Sequence, residues 1–264
     1  VVGISNFSGK PIESPFFVHR SESIRVQLPN LPSLLWIAYA CLLLPWVAWR
    51  SRRVLRLLMA DPSQEIRWNS ATIWRRNLSQ AAMLGLLSWM VGNTFGFFVS
   101  WPVKPWHDWL AATLLALLAC LSLRAVLLRW IRSDPERLKL SRWMEPRGGG
   151  QRWLRRLAIV VASVSHEIAY RGVGLAILSY SMGSKPLAIL LSVLVYALLH
   201  AAQGWRSMIA IAGFALIQHG LVSYTGSLFP AILVHAIYNL LVVEFRSLQT
   251  HQFDFSRPIG KPEP

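Results

Sequence analysis

Seven predominantly apolar stretches recur along the 264 residues, at 34–49, 81–103, 110–128, 157–180, 186–202, 207–224 and 228–243. A helix needs about 20 such residues to cross a bilayer, and in hydrocarbon the backbone must satisfy its own polar groups. The pattern therefore predicts an all-α, polytopic membrane helix bundle of about seven transmembrane helices. Stretches 34–49, 186–202 and 228–243 are short, which sets the range at six to eight.

The segments between them are of different kinds. Residues 1–33 mix Gly, Pro and Ser with polar residues and hold no sustained period, so they read as an extracytoplasmic N-terminal arm. After the first span come Arg50 to Arg56, then Asp61, Pro62 and Gln64, a helix start with an Asp cap, Pro in the first turn and an acceptor at the third position. Trp68 and Trp74 beside Arg67, Arg75 and Arg76 suit the headgroup layer, as expected for an interfacial helix. Gly92 and Gly96 have the small-residue spacing that lets membrane helices approach closely. Gly148, Gly149 and Gly150 end the longest basic loop and mark the best boundary in the chain. The expected organisation is a front set of transmembrane helices with basic cytoplasmic loops at 34–150, a core at 151–245 and a cytoplasmic tail at 246–264.

Within the back portion, three apolar runs each carry two polar side chains four residues apart: Glu167 and Arg171, Tyr196 and His200, His235 and Asn239. Residues at that spacing share a helix face, so three such faces can enclose one polar site. Ionisable groups inside a membrane mark function by default. Glu167 and Arg171, acid first, also fit a buried ion pair. His219 reads as a hydrogen-bonded core residue.

Composition agrees with the membrane reading: 54% hydrophobic residues, 15% charged and a mean hydropathy of +0.40. The net charge of +15 comes from basic residues at span ends and in loops, which fits membrane topology and gives no reason to invoke nucleic acid. With the N-terminus outside, 20 Lys and Arg fall on one side, in 50–79, 129–156, Arg206 and the tail, against 5 on the other. Positive residues favour the cytoplasm, so the expected orientation is N-out and C-in. Arg outnumbers Lys 22 to 5, a hint of a GC-rich bacterial genome, so the expected location is a bacterial plasma (inner) membrane. Cys41 and Cys120 fall inside spans as core thiols, without disulfide or zinc-ligand spacing.

His166-Glu167-x-x-x-Arg171, Tyr196-x-x-x-His200 and His235-x-x-x-Asn239, in that order on successive apolar segments, resemble the CAAX protease and bacteriocin-processing family, which includes the Ras-converting prenyl-protein endopeptidases. The family pattern is Glu-Glu-x-x-x-Arg, Phe-x-x-x-His and His-x-x-x-Asn/Asp. Here Tyr196 stands for Phe, and His166 stands for the first Glu. The resemblance implies a glutamate-type intramembrane endopeptidase without an obligatory metal or cofactor, acting on a membrane-associated substrate, prenylated or bacteriocin-type. It implies that His200 binds and polarises water, that His235 and Asn239 stabilise the oxyanion, and that Glu167 with Arg171 supports the site. The lost carboxylate leaves the base to His166, whose imidazole is competent near neutral pH.

Three alternatives remain open on the residues. A catalytically inactive relative would serve as a scaffold, an immunity factor or a subunit of a larger membrane complex. His166, His200 and His235 supply three imidazoles, the ligand number of a catalytic zinc centre. Transport or proton relay also uses intramembrane charges, but no inverted repeat or pair of broken helices supports it. Expected partners are membrane lipids and the peptide or protein substrate.

Overall fold

The computed structural model describes residues 31–60, 70–94, 102, 104–132, 144–146 and 148–252. Each of the seven apolar stretches has most of its described residues on a helix. The first rod runs through α1 (Leu31–Trp36), a π-helical stretch (Ile37–Leu43) and α2 (Leu44–Ala60). Next come α3 (Ser70–Thr94) and α4 (Trp106–Arg132). The back portion holds α5 (Gly149–His166), a second π-helical stretch (Glu167–Val173) and α6 (Gly174–Met182), then α7 (Lys185–Leu198), α8 (Trp205–Thr225) and α9 (Phe229–Gln252). No strand occurs among the described residues.

Three of these helical segments, 31–54, 106–128 and 205–225, are long and apolar enough by themselves to cross a membrane; 185–198 and 229–244 are apolar but shorter. Their outer faces are those of a membrane bundle. Leu114, Leu115 and Leu118 of α4, and Leu187, Leu190 and Leu194 of α7, all point away from the protein, a placement that lipid tails solvate as well as a core does. The chain is an integral membrane protein.

Close helix approach is also achieved at a glycine that no spacing marked. Gly92 is buried near the end of α3, while Gly96 lies outside the described residues. The tight contact on α3 is at Gly85, where a Cβ would run into the Ser165 side chain of α5. Ser70 Oγ donates to Gln151 Oε1 at the other end of the same pair, so α3 and α5 lie side by side and run in the same direction. The glycine run falls at the start of a helix. Gly149 and Gly150 form the first turn of α5 with Gly148 as its cap, because nothing crowds them and a helix start tolerates residues without side chains. The predicted helix start at Asp61 and residues 1–30 of the N-terminal arm lie outside the described residues, as do Trp68 and Arg67; residues 31–33, expected to close the arm, instead begin α1, and Arg50 to Arg56 continue α2.

At the centre, Trp36 is fully buried. Its indole N–H donates to Ser88 Oγ at 2.9 Å, and its ring lies 6.3 Å from that of Tyr170. This packing is possible because residue 174 has no side chain: a Cβ there would stand 2.5 Å from the Ala169 carbonyl oxygen and 2.6 Å from the Trp36 ring. Gly174→Ala is therefore expected to lose roughly 1–3 kcal/mol through overpacking, read as a lowered unfolding temperature in detergent. Gly220→Ala on α8, where a Cβ meets nothing within 4 Å, is the control and should lose nothing. Equal behaviour of the two would refute the packing account.

Candidate functional site

Glu167 opens the π-helical stretch that follows α5. In it the Gly174 N–H reaches back five residues, to the Ala169 carbonyl. Such single-turn widenings often occur at functional positions. Every residue of the stretch except Ile168 is buried, and the side chains of Glu167 and Arg171 are 0% exposed. Arg171 Nη1 lies 3.4 Å from Glu167 Oε1, and its guanidinium carbon sits 4.2 Å above the Tyr196 ring. The predicted ion pair is thus present, and it stacks as a cation on an aromatic face.

Glu167 Oε1 also accepts the Nδ1–H of His235 at 2.6 Å. A carboxylate paired with Arg171 only accepts, so Nδ1 of His235 carries the proton. Its Nε2 meets the Tyr196 hydroxyl at 3.3 Å. A similar deduction holds for His200. Its Nδ1 lies 3.1 Å from the Tyr196 carbonyl, which only accepts, so the Nε2 lone pair is left available.

Tyr196 and His200 do not share a continuous α-helix, contrary to the spacing argument. α7 ends at Leu198, the His200 N–H bonds to the Ala197 carbonyl, and His200 takes φ −100°, ψ 14° before the short turn Ala201–Gln203. Gly204 closes that turn at φ 88°, a conformation that L side chains rarely adopt. The helix end tilts the imidazole toward the other motifs. His235 and Asn239 do lie one turn apart on α9.

His166, the last residue of α5, completes the cluster. Its ring is 6.3 Å from that of His200, 5.8 Å from that of His235 and 5.4 Å from that of Tyr196, and its Nδ1 is buried without a hydrogen-bond partner. His166, Tyr196, His200, His235 and Asn239 line one cavity of about 1020 Å³. Glu167 and Arg171 stand behind its wall. The structure brings all six sequence-predicted residues into one region, as a lining layer and a supporting layer.

His219 is a core residue, as expected: its Nε2 lies 3.2 Å from Ser192 Oγ, which itself donates to the Tyr170 carbonyl. Two contributors escaped sequence reasoning. The Tyr196 hydroxyl adds a partner for His235 that Phe would lack; it was legible as a departure from the family pattern. Phe214 packs its ring 5.0 Å from that of His235 and 5.0 Å from that of Tyr238, and no motif marks it.

The three-imidazole metal alternative is not supported by this arrangement. Among the described residues no group of three His, Cys, Asp or Glu side chains is set to hold a metal ion. His235 has one ring nitrogen on Glu167 and the other facing Tyr196.

Residues 149–241 match the family model described as Type II CAAX prenyl endopeptidase Rce1-like. No curated protein and no solved structure matches the chain. The Rce1-like region runs from the start of α5 into α9 and contains every residue of the cluster, which supports a protease-type function in a membrane. Helices α1 to α4 lie outside it.

Proposed function

We propose that this cavity hydrolyses a peptide bond in a membrane-associated protein or peptide, of prenylated or bacteriocin type. The observation that carries the reading is the spacing of the His166 ring from those of His200 and His235, 6.3 and 5.8 Å. One water at hydrogen-bond distance, about 2.8 Å, fits between two rings so spaced. His166 takes a proton from that water while His200 orients it. The oxygen attacks the carbonyl carbon, and the π electrons of the carbonyl move onto its oxygen.

The resulting oxyanion is stabilised by the Asn239 amide and by His235, whose ring Glu167 holds in place through Nδ1. A donor aimed at such a charge is worth about 2.7–4 kcal/mol in a site closed to water. When the intermediate collapses, the C–N bond breaks and the proton on His166 passes to the leaving amine, which returns the site to its starting state. The positive-inside rule supports a cytoplasmic arginine-rich end; in our reading the membrane is a bacterial plasma membrane and substrate enters from that side.

Purified protein in detergent is expected to cleave membrane peptides with or without chelator, whereas His200→Ala is not. Loss of cleavage to chelator and its recovery with zinc would refute the metal-free reading. The competing reading, an inactive scaffold, immunity factor or complex subunit, rests on His166 standing where the family pattern has Glu. It predicts no cleavage by the wild type, with some restored by His166→Glu.

Tyr196→Phe removes the hydroxyl from His235 but keeps the ring under Arg171. We expect kcat to fall by up to about tenfold, the worth of one hydrogen bond, with unchanged unfolding temperature. A loss of fold instead would mean that the hydroxyl is structural.

A further inference from the structure

Four residues leave seven buried side-chain atoms without a hydrogen-bond partner among the described residues: Oε2 of Glu167, Nε, Nη1 and Nη2 of Arg171, Oε1 and Nε2 of Gln218, and Nδ1 of His219. Arg171 Nη1 is only at ion-pair distance from Glu167 Oε1. None of the four residues lines the cavity of the imidazoles. A polar group taken into an apolar interior is costly unless it is hydrogen-bonded, and native cores leave few such groups alone.

Contacts on either side bring these residues together. His235 bonds Glu167 through Nδ1, and its ring lies 5.0 Å from that of Phe214 on α8. Further along α8, His219 Nε2 lies 3.2 Å from Ser192 Oγ, which donates to the Tyr170 carbonyl at 2.9 Å. The π-helical stretch is thus joined to α8 twice, Glu167 to Phe214 through His235 and Tyr170 to His219 through Ser192. Both segments therefore run the same way, and Gln218, next to His219, falls level with Arg171. Gln218 is 0% exposed and shares a helix face with Phe214, one turn before it, so its amide is turned toward the Glu167–Arg171 pair.

Donors and acceptors together decide what fits there. The Ser192 hydroxyl gives its proton to the Tyr170 carbonyl, so it accepts from the His219 Nε2–H, and Nδ1 of that ring holds a lone pair. Glu167 Oε2 and Gln218 Oε1 also accept, while the Arg171 nitrogens and Gln218 Nε2 donate. A cation would meet the guanidinium and an anion the carboxylate, so neither suits the site. An uncharged ligand that both donates and accepts does suit it, and water is the smallest. Buried waters make about three hydrogen bonds each, so about two of them serve these atoms.

We infer that Gln218 and His219 bind water behind the catalytic wall, and that this water holds the Glu167–Arg171 pair in register with His235. The second half rests on the peptide-hydrolase reading of the cavity. Glu167 Oε1 accepts the His235 Nδ1–H, and a water on Oε2 fixes the carboxylate plane and with it the direction of that bond. His235 and Asn239 line the cavity, whereas Gln218 and His219 do not. The latter two are therefore positioning residues, which act on the reaction through Glu167.

The test is radiolytic footprinting of the full chain in neutral detergent, in which X-ray pulses make hydroxyl radicals from water beside the side chain they oxidise. His219, 2% exposed, should be oxidised, whereas Trp36, 0% exposed, should not, although indole is the more reactive ring. Gln218→Leu should remove most of the oxidation at His219. The same variant should cleave peptide with kcat about tenfold lower, the worth of one hydrogen bond, at unchanged KM and unfolding temperature. Gln218→Asn, which keeps the amide, should keep His219 oxidised and recover part of kcat.

Should Gln218→Leu fail to fold, Gln218→Met, closer to glutamine in length, takes its place, and the wild-type footprint needs no variant. A His219 as protected as Trp36 overturns the inference. Oxidation of His219 that persists in the apolar variant overturns it too. Because the footprint is read without substrate, a chain that cleaves nothing leaves the hydration result standing. Conversely, an unchanged kcat in a variant that has lost the His219 oxidation would remove the positioning role and leave the protease reading intact.

Discussion

His166→Ala is expected to lower kcat for peptide cleavage by about 10²- to 10⁴-fold, the usual contribution of a positioned base, while leaving the fold and KM nearly unchanged. His166 is half-exposed to the cavity and contacts its neighbours only through ring packing. Removing it takes away no ion pair or hydrogen bond that holds the bundle. What it takes away is the proton acceptor at the point where His200 and His235 converge. His166→Glu restores the carboxylate of the family pattern and should keep activity within about tenfold of wild type. His166→Gln, which can hydrogen-bond to water but not take its proton, should behave like alanine. Rates of cleavage unaffected by His166→Ala would show that the base was misassigned, and His200 would then be the group to examine.

The helical rods and the cluster residues were legible in the sequence for a simple reason: both rest on local period and on polar side chains in apolar surroundings. The lipid-facing leucines of α4 and the ion pair of Glu167 with Arg171 needed nothing more. What was not legible depends on packing between distant segments. The widened turn Glu167–Val173 forms where Trp36, from the first rod, presses on Gly174. No rule about residues four apart contains that contact. The break after Leu198, which moves His200 off its helix, depends on Gly204 at positive φ, and the sequence shows a glycine there without showing why the chain must turn. Gly148 to Gly150 stand at the start of α5, a helix start that the low helix propensity of glycine does not signal.

Arg171→Leu is expected to destabilise the protein by about 3–5 kcal/mol, the cost of leaving a buried charge without its partner. Glu167 is 0% exposed and Arg171 is 2% exposed, so once the guanidinium is gone the buried carboxylate keeps only the His235 Nδ1–H as a partner among the described residues. The stacking of Arg171 over Tyr196 at 4.2 Å is lost as well. Arg171→Lys should not rescue the fold, because a point charge on a flexible stem cannot both pair with Glu167 and lie flat on the ring. The decisive comparison is the double variant Glu167→Gln/Arg171→Leu. If the damage comes from an unpaired carboxylate, removing that charge as well should recover more than half of the lost stability, measured by unfolding temperature in the same detergent. Activity should stay lost, because His235 then no longer has the carboxylate that accepts its Nδ1–H and holds its ring in place. A double variant no more stable than Arg171→Leu alone would mean that the arginine acts through packing on Tyr196, and that the ion pair contributes little to holding the π-helical turn in place.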